Sequence, residues 1–239
     1  MASSSPASGT QATASTASLT EVRFEELYPP FGLEIRMGDL RMHPIRQDEI
    51  LPLLDLIAGG IVSPDVPNHP MIVPFALGDD TLERRRTSLR FWWQNWVNVS
   101  PEGWTIPMSV FRGEAIVGVQ DIMASDFPTM RVAETGSWLG VEHHGKGTGK
   151  LMRHAICAFA FDHLGARELH SGAFHDNHRS LGVSRAVGYV ENGQRLAQRA
   201  TGEVDTEIRV RLTPDRLVRS ETPLEVDGLD PFLDFLGLK

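Results

Sequence analysis

The stretch "EHHGKGTGK", Glu142 to Lys150, sets three glycines among two lysines and a threonine, between an apolar run and a helical one. Glycine lets backbone approach a ligand closely, and amides at a helix N-terminus attract anions, so these residues in this order point to phosphate recognition. A magnesium-nucleotide loop requires Gly, four residues, then Gly-Lys-Ser/Thr. The nearest register, Gly140 to Lys146, is followed by Gly147, and the hydroxyl that would hold magnesium is missing. A dinucleotide fingerprint requires G-x-G-x-x-G after the first strand of a parallel sheet, whereas the spacing here is G-x-G-x-G after a run of antiparallel strands. The chemistry that remains suits the pyrophosphate of coenzyme A, with Lys146, Lys150 and Arg153 adding positive charge nearby.

The flanking elements must hold this loop in place. "WTIPMSVFRGEAIVGVQDIMAS" (104–125) alternates with period two around Gly113 and predicts a hairpin, and "RVAETGSWLGV" (131–141) predicts a third strand leading into the glycines. "KLMRHAICAFAFDHLG" (150–165) then offers a helical face of Leu151, Ala155, Ala158 and Phe159, closed by Gly165. A strand over 166–174 follows, then a helix capped by Asn177 and stopped at Gly188, and two strands through Arg195 and through 204–212. Upstream, residues 33–45 predict a strand or hairpin turning at Gly38, and Ile50, Leu53, Leu54 and Ile57 a first helix. Residues 61–79 carry four prolines and predict a shaped loop. Asp80 and Glu83 then resemble a capping box opening a helix with Leu89, Trp92, Trp93 and Trp96 on one side. The order is mixed α/β, with a sheet that is antiparallel early.

Composition narrows the class. With 239 residues and 41% hydrophobic content the chain can bury a core. A formal charge of -8 argues against a nucleic-acid binder, which needs basic stripes. One cysteine, Cys157, excludes an intramolecular disulfide and reads as a buried, inert thiol on its helix. Residues 1–19, rich in Ser, Ala and Thr, read as a flexible tail lacking the pattern of a signal peptide, and no apolar run is long enough for a membrane span. A cytoplasmic protein is the expectation. His170, His175 and His178 match no established ligand spacing, so no metal is expected. The expected organisation is a tail (1–19), one catalytic domain (20–220) and a C-terminal extension (221–239).

Two segments resemble the GNAT N-acyltransferases, in their ribosomal-protein N-acetyltransferase branch. His144-Gly145-Lys146-Gly147-Thr148-Gly149 matches the signature Arg/Gln-x-x-Gly-x-Gly/Ala except for histidine at its first position. Asn177, Ser180, Ser184, Gly188 and Tyr189 repeat the second motif at its own spacing, one strand later. The resemblance spans roughly 40–212, and "GVQDIMASDF", "ETGSWLG" and "CAFAFDHLGA" further resemble actinobacterial members, some of whose relatives are thought to accept succinyl-CoA.

The resemblance implies a GNAT fold, a central, mostly antiparallel, splayed sheet flanked by helices, with acetyl-CoA or succinyl-CoA in the cleft as co-substrate. It implies that Trp138, Leu139, Gly140 and Val141 pair with the pantetheine arm, that His144 to Lys150 cradle the pyrophosphate, and that Asn177 and Ser180 contact the coenzyme. The acceptor is expected to be a primary amine: a protein N-terminus, a lysine or a small amine. It must be neutral to attack a thioester. At pH 7 roughly a tenth of an α-amine and about 0.04% of a lysine is neutral, so a base is called for. Glu134 is the candidate base, working through water, against the alternative of a solvated carboxylate or structural ion pair. Ser184 stands where many members place a tyrosine acid, and either donates to the leaving sulfur or merely packs its helix. Met71, Val73, Phe75, Trp92 and Trp96 are candidates for the acceptor pocket, the tryptophans alternatively for the core. Such folds often pair through sheet edges or C-terminal segments, which makes residues 221–239 a candidate homodimer contact. A noncatalytic acyl-CoA-binding module is the competing reading, favoured by Ser184 and opposed by Glu134.

Overall fold

The computed structural model describes residues 22–64, 66, 68–70 and 77–239. Met71, Val73 and Phe75 lie outside the described residues.

The strands are β1 (Glu34–Met37), β2 (Leu40–Pro44), β3 (Gly103–Arg112), β4 (Ala115–Ser125), β5 (Val132–Leu139), β6 (Glu168–Phe174), β7 (Val190–Gln198), β8 (Val204–Leu212) and β9 (Leu224–Asp227). The helices are α1 (Phe24–Leu27), α2 (Ile50–Ala58), α3 (Leu82–Val97), α4 (Phe127–Met130), α5 (Thr148–Asp162), α6 (His178–Val187) and α7 (Leu229–Phe235). All nine strands form one sheet in the order β7-β8-β6-β5-β4-β3-β2-β1-β9. Each neighbouring pair is antiparallel except β5 and β6, which run parallel because α5 carries the chain back between them. The hairpin turns fall where glycine supplies a positive φ, at Gly38 (+64°) and Gly113 (+58°).

Helices cover both faces. α5 buries Met152, Ile156 and Phe159 in the main core beneath β1, β4 and β5. On the other face α2 and α3 bring Leu53, Ile57 and Trp92 into a cluster with Val119 of β4 and Trp138 of β5. Each fully buried side chain of this size contributes about 1.5–3 kcal/mol, which fixes the helices against the sheet.

Three expectations change. Residues 221–239 are not an extension beyond the domain: β9 adds to the sheet edge against β1 (Ile35 opposite Val226), and Phe232 of α7 and Leu236 at its C-cap are completely buried. The segment is committed to its own chain's core and edge. The cap of α3 is Thr81, whose hydroxyl accepts from the Arg84 N–H at 3.2 Å, while Asp80 is drawn to Arg84 and Arg85 instead. On α3, Trp92 is 2% exposed but Trp93 is 43% exposed, so the tryptophans do not share a face. No helix among the described residues is long and apolar enough to cross a membrane.

Candidate active site

β5 and β6 are paired only from Val132–Glu168 to Glu134–His170. Beyond that point the strands share no ladder pairing; Ser171 Oγ still donates to the Thr135 carbonyl at 2.8 Å, and past it the sheet splits. The split opens a cavity of about 750 Å³, lined by Ser137, Trp138 and Leu139 on one side and by Ser180 and Val183 of α6 on the other. The glycine loop, with Gly145, Gly147 and Lys150, closes one end.

The loop is built for an anion. Gly147 is the N-cap of α5 at φ +79° and supplies no side chain to the first-turn N–H groups; Gly145 stands at φ +72°. Nothing lies within 4 Å of where a Cβ would stand at either glycine. The uncapped N-terminus of a 15-residue helix therefore faces open space, with the partial positive charge of its dipole directed there. Gly140 serves packing instead. A Cβ there would come within 2.5 Å of Leu56, so its absence lets α2 lie against the end of β5.

His144, at the position where the signature has Arg or Gln, ties the loop down. Its Nε2 lies 3.0 Å from the Leu139 carbonyl and its Nδ1 3.4 Å from Arg179 Nη1. An Nε2–H donating to the carbonyl and an Nδ1 accepting from the guanidinium fit both contacts. Asn177 caps α6, its Oδ1 accepting from the Ser180 N–H at 3.1 Å, and so aims the Ser180 and Val183 face into the cavity. Lys146 and Lys150 are exposed beside the loop, and Thr148 is buried in the first turn of α5. Val141 is anchored by its N–H to the Gly60 carbonyl at 2.9 Å.

Several expected residues are placed elsewhere. Glu134 does not line the cavity: its Oε1 accepts from Arg209 Nη1 at 2.8 Å, and it borders a separate hollow of about 440 Å³ with Thr105, Met123 and His170. Ser184 is buried on α6 at 2% exposure and is not among the cavity residues, as Ser180 and Val183 are. Trp92 sits in the core behind Trp138, and Trp96 borders another hollow with Tyr28, Phe31 and Phe235. Arg153 does not join the lysines at the loop. It is buried at the split, donating to Ser137 Oγ and Ser171 Oγ. Cys157 is fully buried 3.4 Å from the Tyr189 hydroxyl, and burial pushes its thiol up to about 11. Among the described residues no group of His, Cys, Asp and Glu could hold a metal.

A carboxylate not anticipated from the sequence stands on β4, across β5 from the split and outside the residues that line the cavity. Asp121 on β4 is opposite Gly136, on the face of the sheet that carries Val119 and Trp138. Lacking a side chain, Gly136 leaves room there: a Cβ would lie 3.5 Å from Asp121 Oδ2. No donor or cation among the described residues reaches this carboxylate, and burial alone pushes its pKa from 3.8 up to about 7. The signal is present in "GVQDIM", where an acid occupies an inward position of an alternating strand.

The chain and its fold have counterparts. A sequence model described as an acetyltransferase (GNAT) domain matches residues 40–190. The chain belongs to the GNAT acetyltransferase family. Among solved GNAT structures, Mycobacterium smegmatis RimJ in complex with CoA-disulfide is similar over 86% of this chain and 94% of its own, with 17% identity and a TM-score of 0.64. RimL, a ribosomal L7/L12 alpha-N-protein acetyltransferase in complex with coenzyme A, matches 75% of this chain and 96% of its own at 15% identity and TM-score 0.60. A spermidine N-acetyltransferase from Vibrio cholerae in complex with CoA and spermine matches 75% and 98% at 13% identity and TM-score 0.56. These likenesses establish the shared mixed α/β GNAT fold, with its large, mostly antiparallel sheet flanked by helices.

Proposed function

We propose that this GNAT protein is an acyl-CoA-dependent N-acyltransferase that moves an acetyl or succinyl group from coenzyme A to a primary amine of a protein or small molecule. The observation that carries this reading is the split between β5 and β6 ending on the uncapped N-terminus of α5. It offers one ligand both a strand edge that has no partner strand between Gly136 and Leu139 and an anion site. The loop amides would hold the pyrophosphate, and the free edge of β5 would pair with the amides of the pantetheine arm.

Asp121, with a pKa of about 7, is roughly half ionised at neutral pH, where a general base for an ammonium group works best. It takes the amine proton directly or through water. The neutral amine nitrogen then bonds to the thioester carbonyl carbon, the C–S bond breaks, and coenzyme A leaves as thiolate, which takes up the second proton that the nitrogen sheds as the amide forms. A thiol of pKa ~8.5 needs little assistance to leave, which accommodates a cavity from which Ser184 is turned away. The same feature favours the second reading, a noncatalytic acyl-CoA-binding module.

The test is release of free thiol from acetyl-CoA and succinyl-CoA in the presence of amine-terminated peptides, lysine peptides and polyamines. Acceleration by one acceptor class supports the enzyme. Tight binding of a thioester with no acceleration by any amine supports the binding module.

A further inference from the structure

The chain carries three lysines against twenty arginines. The difference is chemical: an ammonium group that gives up a proton becomes an amine able to attack a thioester, whereas a guanidinium in a protein keeps its proton and does not. Two of the three, Lys146 and Lys150, stand exposed at the glycine loop, and Lys150 lines the cavity. Among the described residues no carboxylate or other hydrogen-bond acceptor reaches either ammonium group. Lys239 is held differently. Its Nζ lies 2.8 Å from Asp230 Oδ1 and 3.8 Å from Asp234 Oδ1, and the hydrogen bond to Asp230 raises its pKa, which keeps it protonated. An arginine at either loop position would offer a phosphate the same charge. What a lysine adds there is a nitrogen that can be acylated.

We propose that Lys146 and Lys150 are acylation sites, and that their modification by acyl-CoA lowers the affinity of the protein for coenzyme A. This rests on the reading of the glycine loop as the coenzyme A cradle. The neutral lysine nitrogen bonds to the thioester carbonyl carbon, the C–S bond breaks, and coenzyme A leaves as thiolate, which takes up the proton that the nitrogen sheds as the amide forms. Acetylation turns each ammonium into a neutral amide. It removes positive charge from the place where the uncapped N-terminus of α5 would meet its anion. The thioester that reacts is not the one seated in the same cavity, because the pantetheine arm separates that thioester from the pyrophosphate. The acyl group comes from solution or from a second copy of the chain. Bound coenzyme A covers both lysines with its phosphates, so the unoccupied protein is the form that is modified.

Peptide mass spectrometry of the full chain after incubation with acetyl-CoA reads the three lysines separately. Lys146 and Lys150 take up acetyl roughly tenfold faster than Lys239, since each unit by which a pKa is raised leaves tenfold less neutral amine. Saturating coenzyme A protects the first two and not the third. A rate per chain that is independent of protein concentration identifies the free thioester as the acyl source, and one that rises with it a second copy. Calorimetric titration of coenzyme A then compares the unmodified protein, the acetylated protein and two double variants, Lys146→Gln with Lys150→Gln and Lys146→Arg with Lys150→Arg. Loss of both charges, by acetylation or by glutamine, weakens binding on the order of tenfold to a hundredfold. The arginine pair binds within about threefold of the wild type and takes no acetyl at these positions. Labelling of Lys239 as fast as the loop overturns the proposal, as does an unlabelled loop or an acetylated protein that binds coenzyme A as before. Failure of the unmodified protein to bind coenzyme A would overturn the cradle reading itself, a result distinct from unchanged affinity after acetylation.

Discussion

Replacing Asp121 by asparagine keeps the shape of the side chain and removes the charge. In the folded protein burial raises the pKa of this group from 3.8 to about 7, so the native state binds its proton more tightly than the unfolded chain does. The sign is the reverse of an ion-paired carboxylate. Below pH 3.8 both states are protonated and Asp121 has no effect. Between 3.8 and about 7 the unfolded state gains charge freely, and stability is lost as pH rises. A tenfold difference in proton affinity between folded and unfolded states is worth about 1.36 kcal/mol, so above pH 7 the ionised, partly buried group destabilises the fold by on the order of 1–3 kcal/mol. Denaturant titrations at several pH values should therefore show Asp121→Asn gaining on the wild type from pH 4 to 7 and holding its advantage beyond. Activity should move the other way. If Asp121 is the base, kcat/KM in the wild type rises through pH 7, and the variant loses that limb and roughly a hundredfold to ten-thousandfold in rate. A variant with wild-type turnover and an unchanged pH–rate profile would refute Asp121 as the base. A stability difference that does not vary with pH would refute its burial as a charged group.

Glu134→Gln breaks a partly exposed pair with Arg209, so stability should change by less than about 1 kcal/mol, and turnover should fall far less than in Asp121→Asn. Steady-state kinetics of the two variants side by side check the ranking. His144→Ala removes the tie to the Leu139 carbonyl and to Arg179. It should weaken coenzyme A binding roughly tenfold, the worth of one or two hydrogen bonds, and calorimetry reads this directly. Phe232→Ala empties a fully buried site against Phe159, whose ring centroid is 6.2 Å away, and should cost about 3–5 kcal/mol in urea unfolding.

What is legible in the sequence is local. The hairpin at Gly113, the cap from Asn177 to Ser180 and the glycine loop before α5 each rest on residues within one turn or one strand of each other. Two charges set inside apolar patterns were harder to place. Asp121 and Arg153 each interrupt an apolar stretch, the first at a partly buried position of a strand and the second at a buried position of a helix. In sequence Arg153 groups with Lys146 and Lys150 as a basic cluster. What separates them is position along α5: Lys150 lies exposed in the first turn, while every residue from Met152 to Phe161, Arg153 included, is buried. The C-terminal strand is hidden for another reason: β9 pairs residues 224–227 with 34–37, and no local period announces a contact across nearly the whole chain. Glu134 lies on β5 as expected, but its ion partner Arg209 comes from β8, and only the folded sheet brings them together.

On this account the uncapped end of α5 binds the pyrophosphate of coenzyme A. The most direct measurement is a calorimetric titration of coenzyme A into the wild-type protein and into Gly147→Asp, with circular dichroism confirming that both are folded. Gly147 stands at φ +79° with open space before it, so aspartate adds backbone strain and a negative charge at the anion site. Saturable binding to the wild type and none detectable to the variant is the predicted result. Equal affinity for two folded proteins would contradict it.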